Sequence, residues 1–479
     1  MGITGRKKEI DALEKLYRSG KSEFVAIYGR RRVGKTFLVK EVFKERFTFC
    51  HTGLSPVEGK RNMMRDQLQA FHYSLLRAGA DEESPCPETW IEAFYRLEKL
   101  LSQRTDVKRK VVFFDELPWM DTARSGFVTA LEHFWNGWVA GRSDIMLVVC
   151  GSSTSWILNN LVNNNGGLYD RLTYEIKLFP FTLSECEEYY RANNICLDRY
   201  DIAQSYMILG GIPYYMGYFS PGESLAQNID RILFAKGAPL AREFDRLFRS
   251  LFKKSEDHVK IVKVLATKHF GYTRDEISQK TGISLGGGLS ERLKDLVEAD
   301  FVARYEPCGQ SRTVYYRLCD NFCLFYMKYL QDKGITDPGF WQHSQNTPAV
   351  ASWRGLAFEH LCFSHIPQIK KALGVSGVVS KESSMIIGPE SGKSGAQIDL
   401  IIERADRVVN ICEMKFYNRD YKVDKDEKAR LEKRIMSVQE GLYSSYNIHM
   451  TLITVSGLEH NAYSGIFQNV ITLDDLFEK

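Results

Sequence analysis

The sequence predicts an α/β fold in which helices cover both faces of a parallel sheet. Short apolar runs with the composition of buried strands alternate with longer amphipathic runs along the first half of the chain. A glycine-rich turn connects the first of these strands to a helix, and a later strand ends in two adjacent carboxylates. Continuous apolar strands are typical of parallel sheets, because both of their faces are buried.

Length and composition indicate several structural units. The chain has 479 residues, about three times the size of a typical domain, so three or four units are expected. An apolar content of 44% is sufficient for several cores. The net charge of +4 combines 64 basic with 60 acidic residues, which is too balanced to identify a nucleic-acid partner.

Cysteine usage and apolar patterning predict the compartment. The ten cysteines lack the paired spacing of a zinc site, so buried reduced thiols in a cytoplasmic protein are the simpler interpretation. The N-terminus lacks the pattern of a signal sequence, and the longest apolar runs have the length of strands. No membrane partner is therefore expected.

The first elements are an amphipathic helix within residues 1–22 and the apolar strand Glu23–Tyr28. The next eight residues, Gly29–Thr36, read GRRRVGKT and fit the GxxxxGK(S/T) pattern of a phosphate-binding P-loop. Backbone N–H groups at the start of the following helix attract phosphate. Lys35 is expected to reach the β- and γ-phosphates, and the Thr36 hydroxyl to bind Mg²⁺. The nucleotide-binding residues expected in this stretch are Gly29, Arg30, Arg31, Arg32, Val33, Gly34, Lys35, Thr36 and Phe37.

A second part of the same site follows the strand at 110–114. The adjacent Asp115 and Glu116 stand at the end of this buried run. We expect Asp115 to hold the magnesium ion and Glu116 to polarise the attacking water as the general base. Successive strand residues point to opposite sides, so neighbouring carboxylates can divide these two roles.

The remaining elements predict a division into five parts. Further strands are expected at 47–50, 145–150 and 174–178, and helices at 61–77, 89–102 and 126–140. A mostly helical stretch extends to about residue 252, and the polar, proline- and glycine-bearing segment 332–348 is typical of a linker. The predicted parts are the P-loop ATPase core 1–195, a helical lid 196–254, a winged helix-turn-helix 255–332, a linker 333–349 and an α/β unit 350–479.

The winged helix is predicted from the order helix, helix, helix, strand, strand between residues 258 and 318. Residues 255–330 carry eleven Lys or Arg and ten Asp or Glu, a net charge of +1. This balance differs from the basic footprint of a groove reader. DNA contact through Arg292 and Lys294 and a purely intramolecular packing role both remain open.

Carboxylates and a lysine recur in the last unit. Two strand patterns at 395–402 and 408–415 are joined by a short turn, so Asp399 is expected to lie opposite Glu413. Lys415 shares a face with Glu413 because the two are separated by two positions. Asp399 and Glu413 are expected to bind Mg²⁺, with Lys415 orienting or deprotonating water. A hairpin with mutually neutralising surface charges is the alternative.

Four residues near this hairpin bear on the same interpretation. The spacing of Asp399, Glu413 and Lys415 resembles the D…ExK pattern of a class of nucleases. Glu359 lies on a preceding helix, where nucleases with this pattern often place another acidic residue. Gln439 and Tyr443 have the QxxxY spacing of RecB-like nucleases, although this spacing also recurs by chance. Gln397 occupies the position at which many of these nucleases have Glu.

The order of these parts resembles the AAA+-type ATPases of archaea and bacteria that carry a C-terminal domain related to PD-(D/E)XK nucleases. The resemblance rests on GRKKE at residues 5–9, on the two nucleotide motifs and on the D…ExK hairpin. It implies ATP as the nucleotide, Arg6 near the adenine pocket and a restriction-endonuclease-like C-terminal domain. It also implies a γ-phosphate sensor after the strand at 145–150, with Ser153 as the first choice and Ser152 as the second.

An arginine finger is implied less directly. Residues 169–172 resemble a glycine–arginine position of the family, with Asp170 in place of glycine. Arg171 is therefore a candidate finger that completes a neighbouring subunit's site in a homo-oligomer, and a structural salt bridge explains it equally well.

Three functions follow as hypotheses. The first is an ATP-regulated, Mg²⁺-dependent nuclease with DNA as the partner. The second is an ATP-controlled switch whose inactive nuclease fold binds DNA or a protein. The third is an ATPase motor or remodeller that involves no nucleic acid.

Overall fold

The computed structural model divides the chain into two compact units, Met1–Pro180 and Phe181–Lys479. They are described separately below. The structure describes residues 2–55, 63–163, 166–168, 170–252, 255–308, 313–331, 337–387, 396–440 and 443–479.

The first unit is an α/β layer structure built on a five-stranded parallel sheet. Its strands are β1 Glu23–Tyr28, β2 Phe47–Thr52, β3 Lys110–Asp115, β4 Ile145–Gly151 and β5 Tyr174–Lys177. The strand order is β2-β3-β4-β1-β5, and every neighbouring pair is parallel. All residues of β1, β3 and β4 are buried, and apart from the charged residues at the ends of β1 and β3 they are apolar or glycine. The parallel sheet predicted from the sequence is thus confirmed.

Helices pack against this sheet. They are α1 Lys7–Tyr17, α2 Lys35–Phe43, α3 Met64–Arg77, α4 Trp90–Gln103, α5 Phe127–Phe134 and α6 Thr154–Ile157. Two π-helical turns, Trp135–Val139 and Leu158–Val162, extend α5 and α6. The helix expected over 126–140 therefore changes its hydrogen-bond pattern midway. An aromatic core that includes Phe71, Trp90, Phe94 and Phe114 lies between the helices and the sheet.

The second unit begins with a group of helices. They are α7 Leu183–Ala192, α8 Arg199–Leu209, α9 Pro213–Met216, α10 Leu225–Ile229 and α11 Glu243–Leu251. The π-helical turn Asp230–Phe234 continues α10. The boundary between the two compact units lies at Pro180, fifteen residues before the end of the core expected at 195.

Residues 255–331 follow with three helices, a small sheet and a fourth helix. The elements are α12 Ser255–Leu265, β6 Tyr272–Thr273, α13 Arg274–Thr281, α14 Gly287–Glu298, β7 Val302–Tyr305, β8 Tyr315–Leu318 and α15 Asn321–Tyr329. The three strands form an antiparallel sheet in the order β6-β8-β7.

The segment 333–349, expected to be a linker, contains in its described part a short helix with one buried side chain, Trp341. This helix, α16 Phe340–Ser344, places Trp341 in a ring cluster with Phe325 and Trp353, and Trp341 is 1% exposed. Asp230 accepts backbone N–H groups of Trp341 and Gln342 at 2.7 and 3.0 Å. Buried aromatic contacts and a capped helix start thus hold a segment that its polar composition assigned to a linker.

The last part contains a five-stranded mixed sheet with helices. Its elements are α17 Pro348–Ser364, α18 Ile366–Ala372, β9 Ser380–Ile387, β10 Ala396–Arg404, β11 Val408–Lys415, α19 Lys425–Glu440, β12 Asn447–Thr454, β13 Asn469–Ile471 and α20 Leu473–Leu476. The strand order is β13-β12-β11-β10-β9. Strands β9, β10 and β11 pair antiparallel, whereas β11, β12 and β13 pair parallel.

One backbone contact joins the small sheet region to the edge of this mixed sheet. Cys308 bridges to Met385 of the edge strand β9, and its N–H donates to the Ser384 carbonyl at 2.8 Å. The Cys308 thiol also contacts the Tyr443 hydroxyl. The outer edge of β9 is therefore partly covered from within the same unit.

All ten cysteines carry free thiols, in line with the expectation of reduced cysteines. Among the residues that the structure describes, every helix is too short or too polar to span a lipid bilayer.

Candidate functional site

The loop Gly29–Thr36 connects β1 to α2, as the sequence predicts. Gly29 has a φ of +134°, and a Cβ there would lie 2.3 Å from the Leu178 carbonyl oxygen. Gly34 has a φ of +93° immediately before α2. Both positions require glycine, because side chains disfavour these dihedrals and, at Gly29, because of the backbone beside it. The loop is thereby held in a tight turn at a helix N-terminus, where an anion is favoured.

Lys35 lies inside this turn. Its ammonium donates to the carbonyl oxygens of Gly29 and Arg30 at 2.8 and 3.0 Å. Burial lowers the pKa of Lys35 below its ordinary value, while the nearby Glu116 carboxylate opposes this shift. A buried cation bound only by neutral carbonyls gains from a phosphate that supplies the missing negative charge.

Thr36 and Asp115 meet across the ends of α2 and β3. The Thr36 hydroxyl donates to Asp115 Oδ1 at 3.0 Å. Burial, and next the neighbouring Glu116 carboxylate, raise the pKa of Asp115. Its negative charge is thus poorly compensated, so a divalent cation beside these two oxygens would be stabilised there.

Glu116, which follows strand β3, is positioned by a residue that follows the neighbouring strand β4. Its Oε2 atom accepts the Ser152 hydroxyl at 2.7 Å and the Ser152 N–H at 3.1 Å. Glu116 has a φ of +48°, a left-handed conformation that turns the chain sharply after β3. Ser152 is therefore the serine that contacts the expected base. Ser153, the first choice from the sequence, precedes helix α6 without a capping hydrogen bond from its side chain.

The other expected nucleotide-binding residues surround the loop. Arg6 is buried and donates to the carbonyl oxygens of Val33 and Phe179 at 3.2 and 2.7 Å, which ties the start of α1 to the P-loop. Arg30 is 2% exposed and donates to the Arg31 carbonyl at 3.1 Å. The Arg31 guanidinium lies 6.0 Å from the centre of a Trp119 ring, and Arg32 has a φ of +77°. Val33 is buried, whereas the Phe37 side chain is half exposed.

Arg171 lies at the surface of the first unit. Its side chain is exposed, and its backbone N–H donates to the Leu168 carbonyl at 3.2 Å. The preceding Asp170 has a φ of +54°, so it occupies a left-handed position that glycine also favours. This conformation explains why glycine and aspartate can alternate there. Tyr169 lies outside the described residues.

The predicted hairpin of the last unit has the expected register. Strands β10 and β11 pair Leu400 with Cys412 and Ile401 with Ile411. The paired residues end at Leu400 and Cys412, one position before Asp399 and Glu413. The pairing of β10 with β9 shifts between Ile398 and Ile401, so Asp399 lies at a bulge on that side.

Glu413 is bound by cations. Its carboxylate lies 2.8 Å from the Lys415 ammonium and also forms a close ion pair with Arg434 of α19. Arg430 approaches it at 3.5 Å. Burial alone would raise the pKa of Glu413, but Lys415 and then Arg434 outweigh it and hold the pKa below its usual value.

Asp399 lies in a different group, with Glu359 of α17 and His269. One ligand atom from each residue lies within 4.8 Å of the other two, and all three side chains are partly buried. Burial raises the pKa of Glu359, with Asp399 adding to the effect and His269 opposing it. The sequence identified Asp399 and Glu359 but missed His269. Glu413, the expected partner of Asp399, is not a member of this group among the described residues.

The remaining candidates lie apart from these carboxylates or have intramolecular partners. Tyr443 is buried and donates to Glu403 at 3.0 Å, whereas Gln439 is exposed. Arg292 forms an ion pair with Asp257 at 2.9 Å, which occupies a side chain considered for DNA contact. Lys294 lies 3.6 Å from Glu298. Gly441, Leu442 and the side chain of Gln397 lie outside the described residues.

Comparison with known proteins is consistent with the first of these sites. Residues 3–219 match a family model described as an ATPase domain predominantly from Archaea. An uncharacterized protein of Methanocaldococcus jannaschii is 24% identical over 373 residues, which cover 76% of this chain and 77% of the relative. An uncharacterized ATP-binding protein of the same species is 42% identical over 44 residues, covering 9% of this chain and 75% of that protein.

Among solved structures, the Walker-type ATPase PABY2304 of Pyrococcus abyssi aligns with a TM-score of 0.49 and 17% identity, over 68% of this chain and 96% of that one. Residues 3–219 thus match an ATPase-domain family model, and the P-loop and the parallel sheet of the first unit lie within this range.

Proposed function

We propose that this protein binds and hydrolyses ATP in the site formed by the P-loop, Asp115 and Glu116. The observation that carries the proposal is the pair of contacts at the strand ends. Thr36 lies 3.0 Å from Asp115, and Glu116 beside it is oriented by Ser152 at 2.7 Å. A magnesium-holding pair and an oriented base next to a phosphate-binding loop are the parts that phosphoryl transfer to water requires.

In the proposed reaction, Lys35 leaves the loop carbonyls and binds the β- and γ-phosphates. Glu116 accepts a proton from a water molecule as its oxygen attacks the γ-phosphorus. The bond from that phosphorus to the bridging oxygen breaks, which gives ADP and phosphate. Mg²⁺, held by Thr36 and Asp115 when bound, would neutralise charge that develops on the phosphate oxygens.

The test compares Glu116→Gln with the parental protein. Glutamine keeps the shape and can accept the Ser152 hydroxyl, but it cannot take a proton. ATP binding, measured by calorimetry, should stay within about threefold, while the hydrolysis rate should fall by at least about 100-fold. Glu82→Gln, an exposed loop residue, is the matched control. Hydrolysis by Glu116→Gln at the parental rate would refute the assignment of the base.

As a second function, we propose that the C-terminal part is a restriction-endonuclease-like domain that acts on DNA with Mg²⁺. The supporting observations are the antiparallel pairing of β10 with β11, the strands that carry Asp399 and Glu413, and the 2.8 Å ion pair between Glu413 and Lys415. In this proposal Asp399 and Glu413 hold the ion, which would activate water and stabilise the scissile phosphate. Lys415 orients the water. Arg434 must release Glu413 first, so cleavage would require a local rearrangement.

The same ion pairs support the non-cleaving alternative, an ATP-controlled switch that binds DNA or a protein. A carboxylate already neutralised by Lys415 and Arg434 loses these contacts when it accepts a metal. The two functions are separated by cleavage assays on single-stranded, linear and supercoiled DNA with Mg²⁺ or Mn²⁺, with and without ATP.

Cleavage that is lost in Lys415→Ala and kept in Lys422→Ala would establish the nuclease. Lys422 is a suitable control because it is 67% exposed and pairs with Glu459. No cleavage by the parental protein under any of these conditions would favour the switch.

The same proposal includes DNA as a partner and assembly into a homo-oligomer. Residues 255–318 have the element order of a winged helix, which supports DNA as the partner of this region. The exposed Arg171 supports a homo-oligomer in which it completes a neighbour's ATP site. Arg171→Ala should then lower hydrolysis only at concentrations at which the protein assembles, as measured together by light scattering and phosphate release.

A further inference from the structure

His269, Glu359 and Asp399 form a cluster that is assembled from three separate segments of the second unit. His269 lies between α12 and β6, Glu359 on helix α17 and Asp399 on strand β10. One ligand atom from each lies within 4.8 Å of the other two. Ninety residues separate His269 from Glu359 in the sequence, so only the fold brings them together.

We propose that these three side chains bind a divalent transition-metal ion, of the Zn²⁺ or Mn²⁺ class, that joins residues 255–308 to the C-terminal sheet. One imidazole with two carboxylates is a ligand set that suits these ions, whereas Mg²⁺ prefers oxygen ligands. Three protein ligands leave a coordination position for water or substrate.

A second histidine, His360, can fix the orientation of the His269 ring. His360 Nε2 lies 3.1 Å from His269 Nδ1, and His360 is buried. If the His269 Nδ1–H donates to His360, the His269 Nε2 lone pair points away from His360. That atom lies 2.5 Å from Glu359 Oε2. Metal-binding histidines commonly donate their other ring N–H to a supporting acceptor, which fixes the tautomer and the orientation of the ring.

The close approach of His269 to Glu359 is itself informative. His269 Nε2 and Glu359 Oε2 lie 2.5 Å apart as an ion pair, and the contact with His269 opposes the rise that burial causes in the pKa of Glu359. Two ligand atoms of one metal ion lie farther apart than this, so the pair would separate slightly as the ion enters. The Glu359 and His269 side chains are only 15% and 20% exposed, so a metal ion there would be largely shielded from water.

The charges also fit a divalent ion. Two carboxylates and a neutral imidazole together balance a charge of +2. Arg317 lies close enough to interact with both Asp399 and Glu359, and in the metal-free protein it supplies part of this compensation. A cavity of about 250 Å³ lies beside the cluster and is lined in part by His269 and His360.

The proposed site shares Asp399 with the proposed nuclease centre, but it does not depend on cleavage. An ion bound here would tie Asp399 to residues 255–308 and would keep it from serving an ion shared with Glu413. The metal would thereby hold residues 255–308 in a fixed position against the C-terminal sheet.

The experiment is metal binding by the purified full-length protein, without DNA or ATP. The protein is stripped with a chelator and dialysed against ZnCl2 or MnCl2 in the presence of excess Mg²⁺, and bound metal is counted by mass spectrometry. We expect stoichiometric binding that weakens by at least about tenfold in both His269→Gln and Glu359→Gln. His343→Gln is the matched control, because His343 is 71% exposed and pairs with Asp337 away from the cluster.

Two further readouts separate loss of a ligand from loss of the fold. Co²⁺ bound by the parental protein should give visible absorption bands that His269→Gln lacks. The ion should raise the melting temperature of the parental protein but leave that of His269→Gln unchanged, both proteins having the same helix content. Failure of the parental protein to retain either ion, or equal retention by His269→Gln, would overturn the proposal. Retention without DNA cleavage would leave it standing and would count only against the nuclease.

Discussion

Acidification should destabilise the second unit through its buried histidines His365 and His360, whose pKa values are lowered by burial. The contribution of His365 can be isolated by substitution. Its ring is fully buried between Leu361 and Leu183. Nδ1 lies 2.8 Å from the Leu361 carbonyl oxygen, so it must carry the proton. Nε2 accepts the Leu183 N–H at 3.1 Å, so it must be unprotonated. Protonation of His365 would set two N–H groups against each other.

The size of the effect follows from the pKa. Burial lowers the pKa of His365 to about 4, while the hydrogen bond to Leu361 acts in the opposite direction. In the unfolded chain the value is near 6.5. A histidine with a depressed pKa contributes its full stability above the unfolded value and loses it as the pH falls toward the folded value. Between pH 6.5 and pH 4 the loss should reach about 3 kcal/mol and then stay constant.

The assay is urea unfolding at several pH values between 7.5 and 4, followed by hydrogen exchange in peptides from 181–479. These peptides separate the second unit from the first, in which buried His51 also has a pKa lowered to about 4. His365→Gln cannot titrate, so its free energy of unfolding should fall less steeply than that of the parental protein. Equal pH dependence of the two proteins would refute the reasoning, and His343→Gln should match the parental protein.

Three further substitutions test contacts described above. Lys35→Ala should raise the dissociation constant for ATP by at least about tenfold in calorimetry, because the buried ammonium no longer meets the phosphates. Ser152→Ala removes the 2.7 Å hydrogen bond to Glu116 and should lower the hydrolysis rate about tenfold with little change in KM. If Ser153→Ala lowers the rate more than Ser152→Ala does, Ser153 is the γ-phosphate sensor instead. Asp230→Ala leaves two N–H groups at the start of α16 unpaired, so the free energy of unfolding should fall by about 2 kcal/mol in urea titrations.

The first unit was predictable because its signals are local. Each buried strand is a continuous apolar run, and the P-loop is fixed by glycines and a lysine within eight residues. The choice between Ser152 and Ser153 was not predictable, because it depends on where β4 ends. That strand ends at Gly151, which brings the next residue to Glu116.

In the second unit, contacts between distant segments could not be predicted from the sequence. The antiparallel hairpin that carries Asp399 and Glu413 could be predicted from the short turn between its strands. The capture of Glu413 by Arg434 depends on the placement of helix α19, and the approach of His269 to Asp399 depends on contacts between distant segments. The burial of Trp341 was not predicted for a related reason: most of the segment around it is polar, and aromatic rings that pack against it come from α15 and α17.

The contact of Cys308 with strand β9 has a practical consequence for anyone who dissects this protein. A fragment that starts near residue 350 would lose Cys308, and with it the backbone partner of Ser384 and the neighbour of the Tyr443 hydroxyl. Strand β9 would then present a bare outer edge, the usual starting point for aggregation between sheets. A soluble fragment for nuclease work should therefore begin at or before residue 255.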